Sequence, residues 1–297
     1  MGYIIGHSDN VEEGRSVMDA ALDAGALFEP QVTGTLLPNG TVDQSTFTVY
    51  REFEDGRQVV LNAGVKSGYH AGSYAQIVST ADAMFPGSCT SMTVIDDGAA
   101  LLFTQRIGEA HAWEDGDQMV NYLMYTASLN STWASAVYGF GFRPFCSNQI
   151  PLGLLQLSQK RTRNHDLLLF QKAQVLAKSV SAFDRFMDDA TMLKSVKLSE
   201  ANVRTLLDAV APLITDEDAA PKAVNHAERR RNGIRYYYAE EVDKFGANAW
   251  SFFNAVQTYE FHDVTKDKVE KQAEVVRQPE KNQSLTLLAH QRLMALV

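Results

Sequence analysis

The chain has 297 residues, of which 45% are hydrophobic and 21% are charged. A chain of this length and composition can bury a core in one large domain or two ordinary ones, which excludes disorder as its dominant state. Its 27 basic and 36 acidic side chains give a net charge of −9, which excludes a basic coat over the whole surface.

The acidic side chains are concentrated in the first half of the chain. Residues 1–150 carry 6 basic and 17 acidic side chains, a balance of −11, whereas residues 151–297 carry 21 and 19, a balance of +2. Such asymmetry indicates a surface with a preferred partner, although a solvated acidic face is the commoner cause.

Neither the cysteines nor the first residues indicate export or a membrane. Cys89 and Cys146 lie 57 positions apart and indicate no disulfide framework. Residues 1–10 contain neither the basic nor the apolar region of a signal peptide, and no eighteen apolar residues run together. We therefore expect a cytoplasmic protein with no membrane partner.

A short amphipathic helix is predicted over residues 11–24. Its apolar face is expected to consist of Val17, Met18, Ala21 and Leu22. The expected N-cap is Ser8, Asp9 or Asn10, and Gly25 is expected to end the helix.

From residue 31 to residue 108 the apolar pattern has a period of two, which is typical of strands, and Asn39-Gly40, Asp55-Gly56 and Asp97-Gly98 are hairpin signals. Residues 46–53 are predicted to pair with residues 58–63. A helix over residues 73–85, with Ser73 as its N-cap, is predicted between hairpins. Residues 118–130 and 131–146 are predicted to form two further strands, with Gly139 and Gly141 at a bulge or bend.

After Pro151 the turn residues disappear, and the rest is predicted to be helical. The predicted helices cover residues 164–196, 199–210, 223–245 and 249–261, and residues 266–297 form a charged linker with an apolar tail from Leu285. The fold class is α+β, with a β-rich N-terminal half and a helical C-terminal half. Residues 1–150 are expected to form the sheet region, and residues 151–265 to pack on it in one composite domain.

The sequence contains no recognised catalytic, cofactor or metal motif. The glycines at 139 and 141 and those between 64 and 72 fit neither GxGxxG nor a Walker A loop, and the seven histidines never pair at metal-binding spacing. Glu240 and Glu241 are interpreted as a solvated helix face with Lys244 as partner. We therefore predict no cofactor, no metal and no catalytic residue.

Two basic clusters are the residues most suggestive of a function. The first contains Lys160, Arg161 and Arg163; the second contains Arg229, Arg230, Arg231 and Arg235, followed by Tyr236. Arginines beside tyrosines supply cations for phosphates and ring faces for bases, as single-stranded nucleic-acid sites require. The alternative is a hydrated helix face with Ile234, Tyr237 and Tyr238 packed inward.

Aromatic side chains in the predicted strands offer a second stacking surface, of which Tyr69 is the chosen candidate. Aromatic residues also favour strands for packing alone, so most of them are expected in the core. Trp250 and Asn254 share one helix face, which favours packing and helix-to-sheet hydrogen bonding over catalysis.

Residues 248–259, followed by His262, resemble the carboxy-terminal signature of the uncharacterised phage/plasmid-like protein family, a domain of unknown function. Residues 65–69, 145–148 and 163–165 resemble three earlier segments of the same family in the same order. This resemblance over residues 65–262 implies a mobile genetic element as the setting, but no activity.

The leading hypothesis is a non-enzymatic, phage-encoded protein of the host cytoplasm that binds single-stranded DNA as a homo-oligomer and promotes annealing or protects DNA during replication or recombination. The competing class is a structural or interaction protein, either an assembly subunit or a host-defence antagonist that uses the acidic half. An enzyme ranks third.

Overall fold

A computed structural model describes residues 14–66, 69, 71–133, 135–144, 148–151, 157–159, 172–216, 218–266, 271 and 284–296. The predicted N-caps at residues 8–10 and the basic residues Lys160, Arg161 and Arg163 lie outside this set. The described residues confirm the α+β class, with two antiparallel sheets in the first half and helices in the second.

The smaller sheet contains the predicted hairpin. Its strands, in spatial order, are β1 (Gln31–Leu36), β2 (Val42–Glu52) and β3 (Gln58–Lys66). The register runs from Glu52 opposite Gln58 to Thr46 opposite Lys66, which confirms the pairing expected around Asp55-Gly56. Gly56 has φ +81°, the left-handed conformation that such a turn requires.

Helix α1 (Val17–Asp23) begins six residues later than predicted, because Ser16 is extended and its hydroxyl caps the helix by accepting from the Asp19 amide. Val17 and Ala21 are buried as predicted, but Leu22 is 59% exposed, so its assignment to the buried face was wrong. A seven-residue helix buries only a narrow stripe, and Ala20 completes it instead.

Helix α2 (Ala75–Met84) buries Ile77, Val78 and Ala81 as predicted, but Ser73 is not its N-cap. Tyr74 occupies that position without a side-chain capping bond; its ring is fully buried and its hydroxyl donates to the carbonyl oxygen of Gly98 at 2.9 Å. Ser73 lies one residue earlier, and its hydroxyl accepts from the Ala75 amide at 3.4 Å.

The larger sheet has the order β4-β5-β6-β7-β8, and β9 also pairs with β7. The strands are β4 (Cys89–Ile95), β5 (Ala100–Ala112), β6 (Gln118–Ser128), β7 (Ser135–Arg143), β8 (Asn148–Pro151) and β9 (Leu157–Gln159). The prediction that only helices follow Pro151 was wrong, because β9 is a strand too short to show alternation in its sequence.

The bulge or bend expected at Gly139 and Gly141 is also wrong. These residues pair in unbroken register with Leu123 and Asn121 of β6. Strands β8 and β9 pair with the opposite edge of β7, and pairing on both edges holds the chain extended.

The helical half follows the prediction closely within the described residues. Its elements are α3 (Lys172–Ser195), α4 (Glu200–Val210), α5 (Pro221–Phe245), α6 (Ala249–Thr258), a π-helical turn (Tyr259–Val264) and α7 (Leu285–Met294). Ser199 and Asn202 form the capping box that begins α4. Every residue of α6 is buried, which makes it the central helix of this half. Among the described residues, no helix is both long and apolar enough to cross a membrane.

A buried charged network connects this helical half to the larger sheet. Arg143, at the end of β7, donates from Nε to Asp117 Oδ1 at 2.7 Å and from Nη1 to Glu241 Oε1 of α5 at 2.6 Å. Trp250 Nε1 of α6 donates to Asp117 Oδ2 at 2.8 Å, as the expected helix-to-sheet hydrogen bond. Lys194 Nζ of α3 lies 3.3 Å from the same oxygen. One cluster thus ties three helices to the sheet.

Glu241 corrects the interpretation of residues 240 and 241 as a solvated pair. Glu240 is exposed, but Glu241 is only 3% exposed and binds Arg143 rather than solvent. Burial raises the pKa of the Glu241 carboxyl, and this effect exceeds the opposing effect of Arg143.

Replacement of Arg143 by methionine should lower the free energy of unfolding by about 3–5 kcal/mol, because the buried Glu241 would lose its cation and the buried Asp117 would keep only Lys194 as its cation. Urea denaturation measures this change. The matched control is Arg57→Met, which removes an exposed partner of Asp97 and should cost less than about 1 kcal/mol. Equal losses in the two variants would contradict a central role for Arg143.

The raised pKa of Glu241 predicts a pH dependence of defined sign. The folded state holds the Glu241 proton more tightly than the unfolded state, so the free energy of unfolding should fall as pH rises through this pKa. Glu241→Gln lacks this titration. The stability of wild type relative to this variant should therefore decrease with rising pH in denaturation series, and a constant difference would contradict the assignment.

Candidate nucleic-acid interface

Helix α5 carries the second basic cluster and is anchored by few residues. Over its 25 residues only Ile234 and Glu241 are buried. The partly buried Tyr237 and Tyr238 pack against the hydrophobic core of the helical half. Gly233 allows the close approach of the π-helical turn, because a Cβ there would lie 2.6 Å from Cδ2 of Tyr259. The inward packing of Ile234, Tyr237 and Tyr238 leaves the opposite side of α5 exposed.

The arginines of this cluster occupy different environments. Arg231 donates to Asp208 Oδ1 of α4 at 2.7 Å, and its side chain is only 12% exposed, so it joins two helices. Arg230 is partly buried near Tyr259. Arg229 and Arg235 are exposed, and no carboxylate of the described residues forms an ion pair with either.

Tyr236 lies on the exposed side of α5 with 61% of its surface accessible. Its hydroxyl donates to Glu240 Oε1 at 2.9 Å, and this hydrogen bond raises the pKa of the phenol. The bond holds one edge of the side chain while the exposed ring can stack on a planar group.

One basic residue of this surface was not among the predicted site residues. Lys222 is exposed and precedes Arg229 by seven positions, as Arg229 precedes Tyr236. Seven residues at 100° each leave neighbours only about 20° apart around the helix and about 10 Å apart along it. The three side chains therefore form one row, which we call the α5 row; a search for period-seven spacing would have found it.

The structure does not place all the predicted residues on α5. Tyr69 lies in the N-terminal half, where its hydroxyl donates to the carbonyl oxygen of Leu129 at 2.5 Å. Its partly buried ring lines a pocket of about 180 Å³ beside the smaller sheet. Of the nine predicted site residues, Arg229, Arg235 and Tyr236 are exposed on α5. Arg229 and Tyr236 lie about 20° apart around the helix, and Arg235 lies about 100° from Tyr236.

Three other groups of residues could carry chemistry, namely metal-ligating side chains, Cys89 and the cluster around Arg143. No group of histidine, cysteine, aspartate and glutamate side chains there could hold a metal ion. Cys89 is buried, and burial raises the pKa of its thiol to about 12, so the thiolate nucleophile is scarce at neutral pH. The charged groups around Arg143 bind one another.

A comparison with protein-family models matches residues 64–289 to a domain of unknown function, DUF932. The chain belongs to this family. The DUF932 match begins within β3 and covers α2, the larger sheet and α3 to α6, whereas α1, β1 and β2 precede it. Comparisons with curated proteins and with solved structures found no match.

Proposed function

We propose that this DUF932 protein is encoded by a mobile genetic element, a phage or a plasmid, and binds single-stranded nucleic acid without covalent chemistry. It acts as a homo-oligomer in the host cytoplasm and promotes annealing or protects DNA during replication or recombination. The observation that carries the proposal is the exposed side of α5, where Arg229, Arg235 and Tyr236 are available to a partner.

The chemistry of this surface matches the two needs of single-strand binding. Guanidinium groups without carboxylate partners can neutralise phosphates and release counterions. The exposed ring of Tyr236 can stack on a base, and stacking of this kind is tolerant of sequence. Their placement on one rigid helix fixes the distance between phosphate and base contacts.

The net charge of −9 does not oppose the proposal, because the acidic excess lies in residues 1–150, which do not include α5. Lys222 also lies in the first turn of α5, where the helix dipole disfavours a cation. The stability of the helix therefore does not explain a lysine at this position, whereas a phosphate contact does.

Replacement of Arg229 and Arg235 by alanine should weaken binding of a labelled single strand and flatten its salt dependence. Each lost phosphate contact should reduce the slope of log K against log salt by about 0.7, hence by about 1.4 for both. Fluorescence anisotropy over a series of salt concentrations measures the slope.

The matched control is Arg204→Ala, which removes an exposed arginine from α4 and should leave binding and slope unchanged. A wild-type slope near zero would overturn the phosphate contacts and favour the interaction-protein class. An unchanged slope in the double variant would exclude α5 as the site.

Tyr236→Ala should weaken binding by about 1–3 kcal/mol, the usual effect of losing one stacked base, with little change in the salt slope. Tyr236→Phe should bind nearly as wild type, because it keeps the ring and loses only the hydrogen bond to Glu240. If Tyr236→Phe is as weak as Tyr236→Ala, the hydroxyl is the important group and stacking is contradicted.

A further inference from the structure

The outer strand β1 of the smaller sheet has an open edge. Strand β2 pairs with one side of β1, and no described residue pairs with the other. The opposite outer strand, β3, is held to the larger sheet, since Asn62 Nδ2 donates to the carbonyl oxygen of Leu129 at 2.7 Å. Among the described residues β1 is therefore the outer strand that has no such contact with the larger sheet.

This edge lacks two of the protections that natural sheets give their outer strands, namely charged side chains and proline within the strand. The sequence of β1, QVTGTL, contains no charged residue and no proline, either of which discourages pairing. Its register shifts between Gly34 and Thr35, so the regular open edge is the stretch from Gln31 to Gly34. An uncharged, exposed strand of this kind is suited to β-strand addition.

The pocket that contains Tyr69 lies beside the same strand. Its walls include Val32 of β1, Phe47 and Val49 of β2, Val65 of β3, and Tyr69, and it measures about 180 Å³. Val32 lies directly opposite Val49, so both point to one face of the sheet. A strand added to β1 would place one side chain next to Val32, the pocket wall nearest the open edge, from where a long side chain can reach into the pocket.

The charges around the edge define the partner further. Glu29 precedes β1, and Asp43 lies opposite Thr35 at its end. Arg51 is the nearest arginine in the sequence, and its guanidinium lies over the Phe28 ring and donates to the carbonyl oxygen of Asp97. Hydrogen bonds from Thr46 and Ser45 lower the pKa of Asp43, which keeps this carboxylate ionised. Lys66, at the pocket itself, disfavours a cation there but is compatible with an aromatic ring.

We propose that the β1 edge binds an extended segment of a partner protein, with one aromatic or large apolar side chain in the pocket and lysine or arginine on either side of it. The strand β1 precedes residue 64, where the DUF932 match begins, whereas Val65, Lys66 and Tyr69 of the pocket lie within the match. The inference is independent of the nucleic acid proposed for α5.

The test uses the full chain and a labelled peptide, acetyl-Lys-Val-Lys-Phe-Lys-Val-Lys-amide, titrated by fluorescence anisotropy at physiological ionic strength. We expect saturable binding. The same peptide with both valines replaced by proline keeps its charge but loses backbone donors, and it should not bind. If both peptides bind equally, charge attraction alone explains the binding, and strand addition is overturned.

Val32→Lys should weaken peptide binding at least about tenfold, because it places a cation at the pocket. The matched control is Val60→Lys, the same change at another exposed valine, which lies opposite Tyr50 and therefore on the other face of the sheet. The control should bind within about twofold of wild type. Equal effects of the two variants, or no binding by wild type, would overturn the proposal.

Two measurements on the unmodified chain keep the test independent of variant folding. The peptide should slow amide hydrogen exchange in residues 31–34, and absence of this protection contradicts the site. Light scattering should give the same molar mass for wild type and Val32→Lys, which shows that β1 does not hold two copies together. A wild-type dimer that Val32→Lys dissociates, or a single-stranded DNA that displaces the peptide, would assign the edge to another occupant.

Discussion

The guanidinium group of Arg143 is the point at which the two halves of the protein depend on each other. Its two ion pairs join the end of β7 to the loop before β6 and to α5, and the shared carboxylate of Asp117 extends the connection to Trp250 of α6. A charge buried this deeply is tolerated only when its partners remain in place. The position of α5, and with it the α5 row, therefore depends on Asp117 and Arg143 at the larger sheet.

Local signals in the sequence predicted much of this architecture. The β2–β3 hairpin followed from its turn residues, and α4 from the capping pair Ser199 and Asn202, because neighbouring residues determine both features. The burial of Glu241 could not be predicted, since its partner Arg143 is 98 positions away. The N-cap of α2 was misplaced by one residue, since Tyr74 and not Ser73 precedes the first residue of the helix.

The candidate site shows the same limit. The sequence identified the arginine cluster and Tyr236, but it could not distinguish Arg231, which pairs with Asp208, from Arg229 and Arg235. That distinction depends on the crossing of α4 and α5, which no local pattern encodes. Lys222 was overlooked because it stands alone in the sequence, although helical geometry places it in line with Arg229.

Helix α6 has a consequence for how the protein can be divided. All ten of its residues are buried, including Trp250, Ser251 and Asn254, so no side of this helix is suited to contact with water. A fragment that contained α6 without the sheet would expose Trp250, and the complementary fragment would leave Asp117, in the loop before β6, without this donor. The larger sheet and the helices around α6 should consequently unfold together in a single cooperative transition.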